Sequence, residues 1–171
     1  AMDTVIATLQ LGVPVARIEL LNEVQMDACI RYSKLDEFQP RPTLFIEFHG
    51  SESAVAEQVA TVESLALDNG GSGFRYAPRP EDRSRLWKAR HSCYHANLAM
   101  HPGWSSMGTD ACVPISALVE CITETEAAIR ESGLYAPIVG HVGDGNFHLG
   151  IIYDDNDPAA RGKAEALAED V

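Results

Sequence analysis

The segment from His141 to His148, His-Val-Gly-Asp-Gly-Asn-Phe-His, constrains the fold of this chain more than any other segment. It predicts two short strands, Pro137–Gly143 and Asn146–Tyr153, joined at Asp144-Gly145. Asp-Gly is a strong signal for a two-residue hairpin turn, because both turn residues must tolerate a positive φ. A turn centred there places His141 directly opposite His148, on one face of the hairpin.

The two histidines of this hairpin are candidate metal ligands. Directly opposed residues hold their Cβ atoms about 4.5–5.5 Å apart, so both imidazoles can bind the same divalent ion. Asn146 lies on the same face, and Gly143 opposite it is expected to leave space for a ligand. The pair does not complete a metal site, because no other His or Cys lies at a short spacing. The alternative is a pair of surface or core histidines with no ligand.

Composition excludes several classes of partner. The chain has 171 residues and a formal net charge of −12, which disfavours nucleic acid and anionic membranes, because both attract a positive surface. It has no apolar run of about 18 residues that could span a membrane and no visible signal peptide, so we expect a cytoplasmic protein. The absence of C-x-x-C spacing predicts reduced thiols at all four cysteines: Cys29, Cys93, Cys112 and Cys121.

Hydrophobic periodicity predicts strands separated by helices. The length predicts one domain, residues 3–171. Ala1 and Met2 are left out as an expression remnant. Besides the hairpin, strands are predicted at Val15–Leu21, Thr43–His49, Gly73–Ala77 and Met107–Val113. Helices are predicted at Thr4–Leu11, Asn22 to about Lys34, Ser51 or Ser53 to Asp68, Glu81 to about Met100, Ser116–Ser132 and from Asp157 onward. This order predicts an α+β fold, a ferredoxin-like antiparallel sheet with helices packed on one face.

Arg90 is a candidate for binding a carboxylate. Trp87 lies three positions before it and Tyr94 four positions after it, so the three share one face of a helix. A guanidinium held between two aromatic rings is oriented for two parallel hydrogen bonds to a carboxylate. The alternative is a surface arginine whose stem packs on Trp87. Asp110 is a polar residue within an apolar strand, and we expect its side chain to form a hydrogen bond with a helix end.

Three segments carry a resemblance to a known family: Leu86–Arg90, Thr109–Ile115 and Gly140–His148. Together they resemble the FAD-linked oxidase C-terminal domain of the D-lactate dehydrogenase (cytochrome) type, in the vanillyl-alcohol-oxidase-like flavoenzyme superfamily. Three further segments are similar to the same subgroup, so the resemblance covers essentially the whole chain: Gly12–Glu19, Asp27–Lys34 and Leu44–Ser51.

The resemblance implies a substrate-binding domain of an FAD-dependent D-2-hydroxy-acid dehydrogenase. His141 and His148 would bind a divalent metal, with zinc the first choice and manganese or iron the second. Arg90 would hold the substrate carboxylate, and Asn146 and Tyr94 would line the substrate site. The family's FAD-binding domain and its final segment, which carries the third metal ligand and the catalytic base, are not in these residues. We therefore expect a truncated domain that has no catalytic base and is inactive alone.

Two positions bear on the substrate. Relatives that oxidise 2-hydroxyglutarate carry a lysine two positions before the residue that matches Asp110, and a threonine four positions after the arginine. Here those positions are Gly108 and Tyr94, so a second substrate carboxylate loses its cation and meets a bulky ring. We expect D-lactate, with glycolate or D-2-hydroxyglutarate as alternatives.

The resemblance also implies an electron acceptor for the complete enzyme: cytochrome c, a quinone or an electron-transfer flavoprotein. It is compatible with a membrane-peripheral protein, mitochondrial in a eukaryote, and with a homo-oligomer formed through the apolar surface that truncation exposes. Two other classes stay open. One is a free-standing module that binds a metal or an organic acid. The other is a metallohydrolase, for which His49 or His95 would have to supply the third ligand.

Overall fold

The computed structural model describes residues 1–171 and contains six strands and seven α-helices. The strands are β1 Val15–Leu21, β2 Thr43–Phe48, β3 Ser105–Gly108, β4 Ala111–Cys112, β5 Ile138–Gly140 and β6 Asn146–Tyr153. The helices are α1 Met2–Gln10, α2 Glu23–Ser33, α3 Glu52–Asp68, α4 Pro80–His91, α5 Cys93–Met100, α6 Leu118–Ser132 and α7 Pro158–Asp170. None of these helices is long and apolar enough to cross a bilayer.

All strands belong to one antiparallel sheet. Its order is β2-β1-β5-β6-β3, and β4 also pairs with β6. The long strand β6 therefore connects the pair β1–β5 on one side with β3 and β4 on the other. The α+β class and the antiparallel sheet expected from the sequence are confirmed.

The helices cover both faces of this sheet, and not one face as the sequence suggested. Leu20 and Leu21 are neighbours on β1, so their side chains point to opposite faces, and each enters a different core. Leu20 belongs to the larger core, which is closed by buried residues of α1, α6 and α7: Val5, Leu118, Ile122, Ala164 and Leu167. Leu21 belongs to a smaller core with α2 and α5, through Met26, Ala28, Cys29, Cys93 and Ala96. The single periodic pattern of each helix does not indicate which face it will cover.

Side-chain caps fix three of the helices at starts that the sequence predicted. The side-chain oxygen of Asn22 accepts hydrogen bonds from the backbone N–H groups of Gln25, at 2.9 Å, and of Ile138, at 3.1 Å. Asn22 thus begins α2 and also ties it to β5. Ser51 caps α3 and Asp157 caps α7.

Three segments differ from the expectation. Residues 73–77 form no strand. The helix expected from Glu81 to Met100 is interrupted at Ser92, which separates α4 from α5. A one-residue interruption leaves the helical pattern on each side intact, so the sequence does not reveal it.

The expected strand Met107–Val113 is the third difference. It begins earlier, at Ser105, and is divided into β3 and β4. Its register is nevertheless continuous, because Gly108 lies opposite Gly150 and Ala111 lies opposite Phe147. Asp110, in the gap between the two strands, therefore lies opposite His148.

Candidate functional site

The connection between β5 and β6 is longer than the expected two-residue turn. A 3-10 turn spans Val142–Asp144, and Gly145 alone has the positive φ, +76°. As a result Val139 lies opposite His148, two positions away from the expected partner His141. The expected register is wrong, but a shift of two residues leaves every side chain on the face that the pattern assigned. Val142, Phe147, Leu149, Ile151 and Tyr153 are all buried in the core.

The two histidine rings meet on the other face. Their centroids are 5.6 Å apart, and the ring planes are nearly perpendicular, at 87°. His141 has a half-exposed side chain, and that of His148 is one-third exposed. The structure thus brings together the two imidazoles that the sequence singled out, although as diagonal and not as direct neighbours.

The glycines of this hairpin act differently from the expectation. Gly143 does not open space for a ligand: it lies in the 3-10 turn, where an added Cβ would be 3.3 Å from the backbone nitrogen of Ile18. Gly140 is the position of closest approach. A Cβ there would lie 2.6 Å from the Cβ of Phe147 and 2.7 Å from the carbonyl oxygen of Asn146, so only glycine lets β5 lie this close to β6 before the turn.

A buried carboxylate that sequence reasoning missed, Glu19 of β1, lies beside His141. Its side chain is 3% exposed, and its Oε1 is 2.7 Å from Nδ1 of His141. Its Oε2 accepts hydrogen bonds from Nε and Nη2 of Arg90, at 3.0 and 2.8 Å. Leu20 lies opposite Gly140, so the next step of the register places Glu19 opposite His141. The available signal was one acidic residue inside the apolar run Ile18–Leu21.

Arg90 has a different environment from the expected one between two aromatic rings. The guanidinium that stacks on Trp87 is that of Arg17, 4.5 Å from the ring centroid. Tyr94 is 57% exposed and packs edge-on against His95. The interruption at Ser92 places Tyr94 on a separate helix, which breaks the spacing on which the expectation relied. Arg90 is 11% exposed, and the salt bridge with Glu19 compensates the charge of both buried groups.

A second carboxylate lies beside His148. Oδ1 of Asp110 is 3.3 Å from Nδ1 of His148 and accepts a hydrogen bond from the side-chain amide of Asn146, at 2.7 Å. The same amide nitrogen donates to the carbonyl oxygen of Ala111 at 3.1 Å. Asp110 thus interacts with the hairpin and does not bind a helix end as expected. Asn146 shares a face with both histidines, as the sequence predicted.

The chemistry of this donor set is compatible with a divalent ion. Each histidine has its Nδ1 next to a carboxylate, Glu19 for His141 and Asp110 for His148. A carboxylate accepts a hydrogen bond from Nδ1–H, so the proton stays on Nδ1 and Nε2 keeps its free electron pair, which is the common arrangement of metal-ligating histidines. No group of three or more His, Cys, Asp or Glu side chains is arranged as a metal site in the chain, so these residues supply an incomplete ligand set.

The other histidines considered as a third ligand have different partners. His49 lies 2.9 Å from the carboxylate of Glu47, and His95 packs against Tyr94. The cysteines are all free. Cys29 and Cys93 form a buried pair with their sulfur atoms 3.5 Å apart. The hydrogen bond to Cys29, and then burial, raise the pKa of the Cys93 thiol.

Residues 1–171 match the family model described as FAD linked oxidases, C-terminal domain. The chain belongs to this family. A probable mitochondrial D-lactate dehydrogenase of Danio rerio is 50% identical over 157 residues, which are 92% of this chain and 31% of that protein.

Other relatives extend the comparison. The mitochondrial D-lactate dehydrogenase (cytochrome) of Arabidopsis thaliana is 40% identical over 98% of this chain and 29% of its own length. The glycolate oxidase subunit GlcD of Escherichia coli K12 is 31% identical over 72% of this chain and 24% of its own length. The chain therefore spans about a third of the length of the first relatives. A 4-ethylphenol oxidase from Gulosibacter chungangensis, solved with isoeugenol, shares the fold, with a TM-score of 0.61 at 14% identity over 90% of this chain and 36% of that one.

Proposed function

We propose that this chain is the substrate-binding part of an FAD-dependent D-2-hydroxy-acid dehydrogenase, and that the acid is D-lactate. Membership of the family and the names of its most similar relatives support the reaction class. The observation that carries the proposal is the connected group formed by Arg90, Glu19 and His141, with His148 beside it. Arg90 would supply a cation for the substrate carboxylate, and His141 and His148 would supply two nitrogen ligands for a metal ion at the substrate hydroxyl. All three side chains lie in one small region.

Arg90 would bind the substrate carboxylate. Its bonds to Glu19 use Nε and one N–H of Nη2, so both N–H groups of Nη1 and one of Nη2 remain. The edge of the guanidinium that Glu19 does not occupy matches the two oxygens of a carboxylate, and charged hydrogen bonds of this kind are roughly twice as strong as neutral ones. Glu19 would hold the guanidinium plane in place while the substrate binds.

His141 and His148 would hold a divalent ion through Nε2. A bound divalent ion lowers the pKa of a hydroxyl that coordinates it, and two nitrogens with one carboxylate favour zinc first and manganese or iron second. Asn146, fixed by Asp110, would contact the substrate on the same face. FAD, when bound, would accept the hydride from the substrate's α-carbon.

The remaining parts of the reaction are proposed to come from other segments of the protein. The third ligand, the base that removes the hydroxyl proton and most of the FAD site would lie outside the third of the relatives' length that this chain matches. We therefore expect residues 1–171 alone to bind ligands but not to turn over D-lactate.

The choice of a monocarboxylic acid rests on two positions of the sequence. Gly108 offers no cation beside Asp110, and Tyr94, four positions after Arg90 in the sequence, carries an exposed ring on α5. Neither position can neutralise a second carboxylate. Glycolate is the nearest alternative, since one relative is named as a glycolate oxidase subunit, and D-2-hydroxyglutarate is the less favoured one.

The proposed electron acceptor is cytochrome c, because three relatives carry the cytochrome type in their names, with a quinone or an electron-transfer flavoprotein as alternatives. Those relatives are named as mitochondrial, and in a eukaryotic source this is the proposed compartment. The free-standing binding module remains the alternative function, because His141, His148 and Arg90 all lie within this chain. A flavin domain on the same polypeptide would decide for the enzyme.

The experiment that tests the proposal compares two arginines in a flavin-loaded protein that carries the proposed FAD domain and the final segment together with residues 1–171. Arg90→Lys keeps a positive charge for Glu19 but removes the free guanidinium edge. We expect it to raise KM for D-lactate or lower kcat/KM by about 100-fold, the equivalent of about 2.7 kcal/mol. Arg17→Lys is the matched control, because Arg17 pairs with Glu47 and Trp87 outside the site. Equal effects of the two changes, or no oxidation of D-lactate by the parent protein, would contradict the proposal.

A further inference from the structure

We infer that Glu19 is a positioning residue that fixes His141 in the tautomer able to bind a metal and, with its other oxygen, orients the Arg90 guanidinium. This inference rests on the proposed function and adds to it a residue of β1 that neither touches the substrate nor binds the ion. This role explains why a buried carboxylate lies between His141, proposed to bind the metal, and Arg90, proposed to bind the substrate carboxylate.

The two oxygens of Glu19 are divided between the two groups. Oε2 accepts both hydrogen bonds from Arg90, and Oε1 faces Nδ1 of His141 at 2.7 Å. An ionised carboxylate accepts hydrogen bonds but cannot donate one. A neutral His141 must therefore carry its proton on Nδ1, and its Nε2 keeps the electron pair that a divalent ion needs.

Burial makes this arrangement specific. Glu19 is 3% exposed and Arg90 is 11% exposed, so water competes weakly with either bond and neither side chain can turn away without leaving a charge unpaired. The backbone of Glu19 is held in the centre of the sheet, opposite Phe45 of β2 on one side and opposite His141 on the other. His141 itself is half exposed, so its orientation depends on this one bond more than on packing.

The variant Glu19→Gln separates positioning from packing, because it keeps the shape of the side chain. Its amide oxygen will face the charged Arg90, which only donates, so its NH2 group will face Nδ1 of His141. The amide then donates where the carboxylate accepted, and neutral His141 must move its proton to Nε2. We expect this reversal to weaken zinc binding by about 10- to 100-fold, the usual effect of removing such a partner.

Two measurements on the 171-residue chain test the inference. Nitrogen-15 NMR of labelled histidines, at about pH 8.5 where an ordinary imidazole is neutral, reports which ring nitrogen of His141 carries the proton. Zinc titration by calorimetry reports the affinity. We expect Nδ1–H in the parent chain and Nε2–H with weaker zinc binding in Glu19→Gln. The matched control is Glu47→Gln, which removes the carboxylate next to His49 on the neighbouring strand and should leave both readouts of His141 unchanged.

The outcomes separate the inference from the proposed function. An unchanged tautomer and unchanged zinc affinity in folded Glu19→Gln would overturn the inference while leaving the metal site intact. If the parent chain binds no zinc but Glu19→Gln still moves the His141 proton from Nδ1 to Nε2, the result would contradict the metal part of the proposed function and support the role of Glu19. If Glu19→Gln fails to fold, Glu19→Asp replaces it: this side chain is one methylene shorter, so it should keep the charge near Arg90 and lose the bond to His141. Zinc affinity equal to that of the parent chain in Glu19→Asp would overturn the inference.

Discussion

Arg90 and Glu19 form a buried ion pair, with Nη2 and Oε2 2.8 Å apart, between residues that are 71 positions apart in the chain. The pair joins helix α4 to the centre of the sheet at the point where β5 ends, next to His141. It is the structural link between the proposed carboxylate site and the proposed metal site.

Removing one partner of this pair should destabilise the fold. Arg90→Met leaves the Glu19 carboxylate buried without its cation, and we expect the free energy of unfolding to fall by about 3–5 kcal/mol. The double variant Arg90→Met with Glu19→Gln should recover part of that loss, because no unpaired charge remains. Urea denaturation at neutral pH measures both. A loss in Arg90→Met below about 1 kcal/mol, the range of surface pairs, would show that the charges are not buried in solution.

Gly140→Ala should disturb the hairpin that carries both histidines. The new Cβ would lie 2.6 Å from the Cβ of Phe147 and 2.7 Å from a backbone oxygen, so β5 and β6 must separate, at a cost of about 1–3 kcal/mol. Gly162→Ala, in the exposed part of α7 where an added Cβ meets nothing within 4 Å, is the control and should stabilise by up to about 1 kcal/mol. Thermal unfolding distinguishes the two. A Gly140→Ala chain as stable as the parent would mean that the two strands do not approach this closely.

Tyr135→Phe tests a buried hydroxyl that has no hydrogen-bond partner. Burial, and then the nearby Asp27, raise the pKa of Tyr135 to about 12, above its ordinary value of about 10. The folded state therefore holds this proton more tightly than the unfolded state. The raised pKa of Tyr135 therefore adds to the free energy of unfolding below about pH 10, and this contribution is lost as the pH rises from about 10 to 12.

We expect Tyr135→Phe to be as stable as the parent chain or slightly more stable at about pH 8, since no hydrogen bond is lost. Between about pH 10 and 12 its stability should decline less steeply. Urea denaturation across this pH range is the measurement. A clear loss of stability at the lower pH would show that the hydroxyl has a partner in solution.

The cysteines should differ in their reaction with an alkylating agent. Cys112 is exposed, whereas Cys29 and Cys93 are buried, and the pKa of Cys93 is raised by its hydrogen bond to Cys29 and by burial. Because the thiolate is the reactive form, iodoacetamide should modify Cys112 first and leave Cys93 unmodified in the folded chain. Mass spectrometry after a short exposure, with Cys112→Ser as the control, checks this order. Early modification of Cys93 would contradict the packing of α5 on α2.

The sequence was sufficient for the local features of this fold. The caps Asn22, Ser51 and Asp157 use short-range hydrogen bonds that a residue type at one position can predict. The alternation of β6 correctly places Phe147, Leu149, Ile151 and Tyr153 in the core, although Ile152, on the face of His148, is buried as well. These features depend on the periodicity of a single element.

What the sequence did not predict depends on contacts between distant elements. The 3-10 turn at Val142–Asp144 arises where Gly145 packs under the carbonyl of Val113, so the Asp-Gly pair alone gave the wrong register. In the sequence Glu19 is one polar residue of a strand, and nothing near it in the chain indicates that Arg90 will lie beside it. The position of Arg17 over Trp87 is another contact between separate elements, and it removed the basis for placing Arg90 there.

Zinc binding to the protein that also carries the segment proposed to supply the third ligand tests the central claim most directly. After dialysis against zinc and then buffer, elemental analysis should find one zinc per parent chain and a strong reduction in both His141→Ala and His148→Ala. His49→Ala, which removes a histidine outside the site, should retain the metal. Zinc content that is the same in all four proteins, or absent from the parent chain, would contradict the claim that these two imidazoles bind one ion.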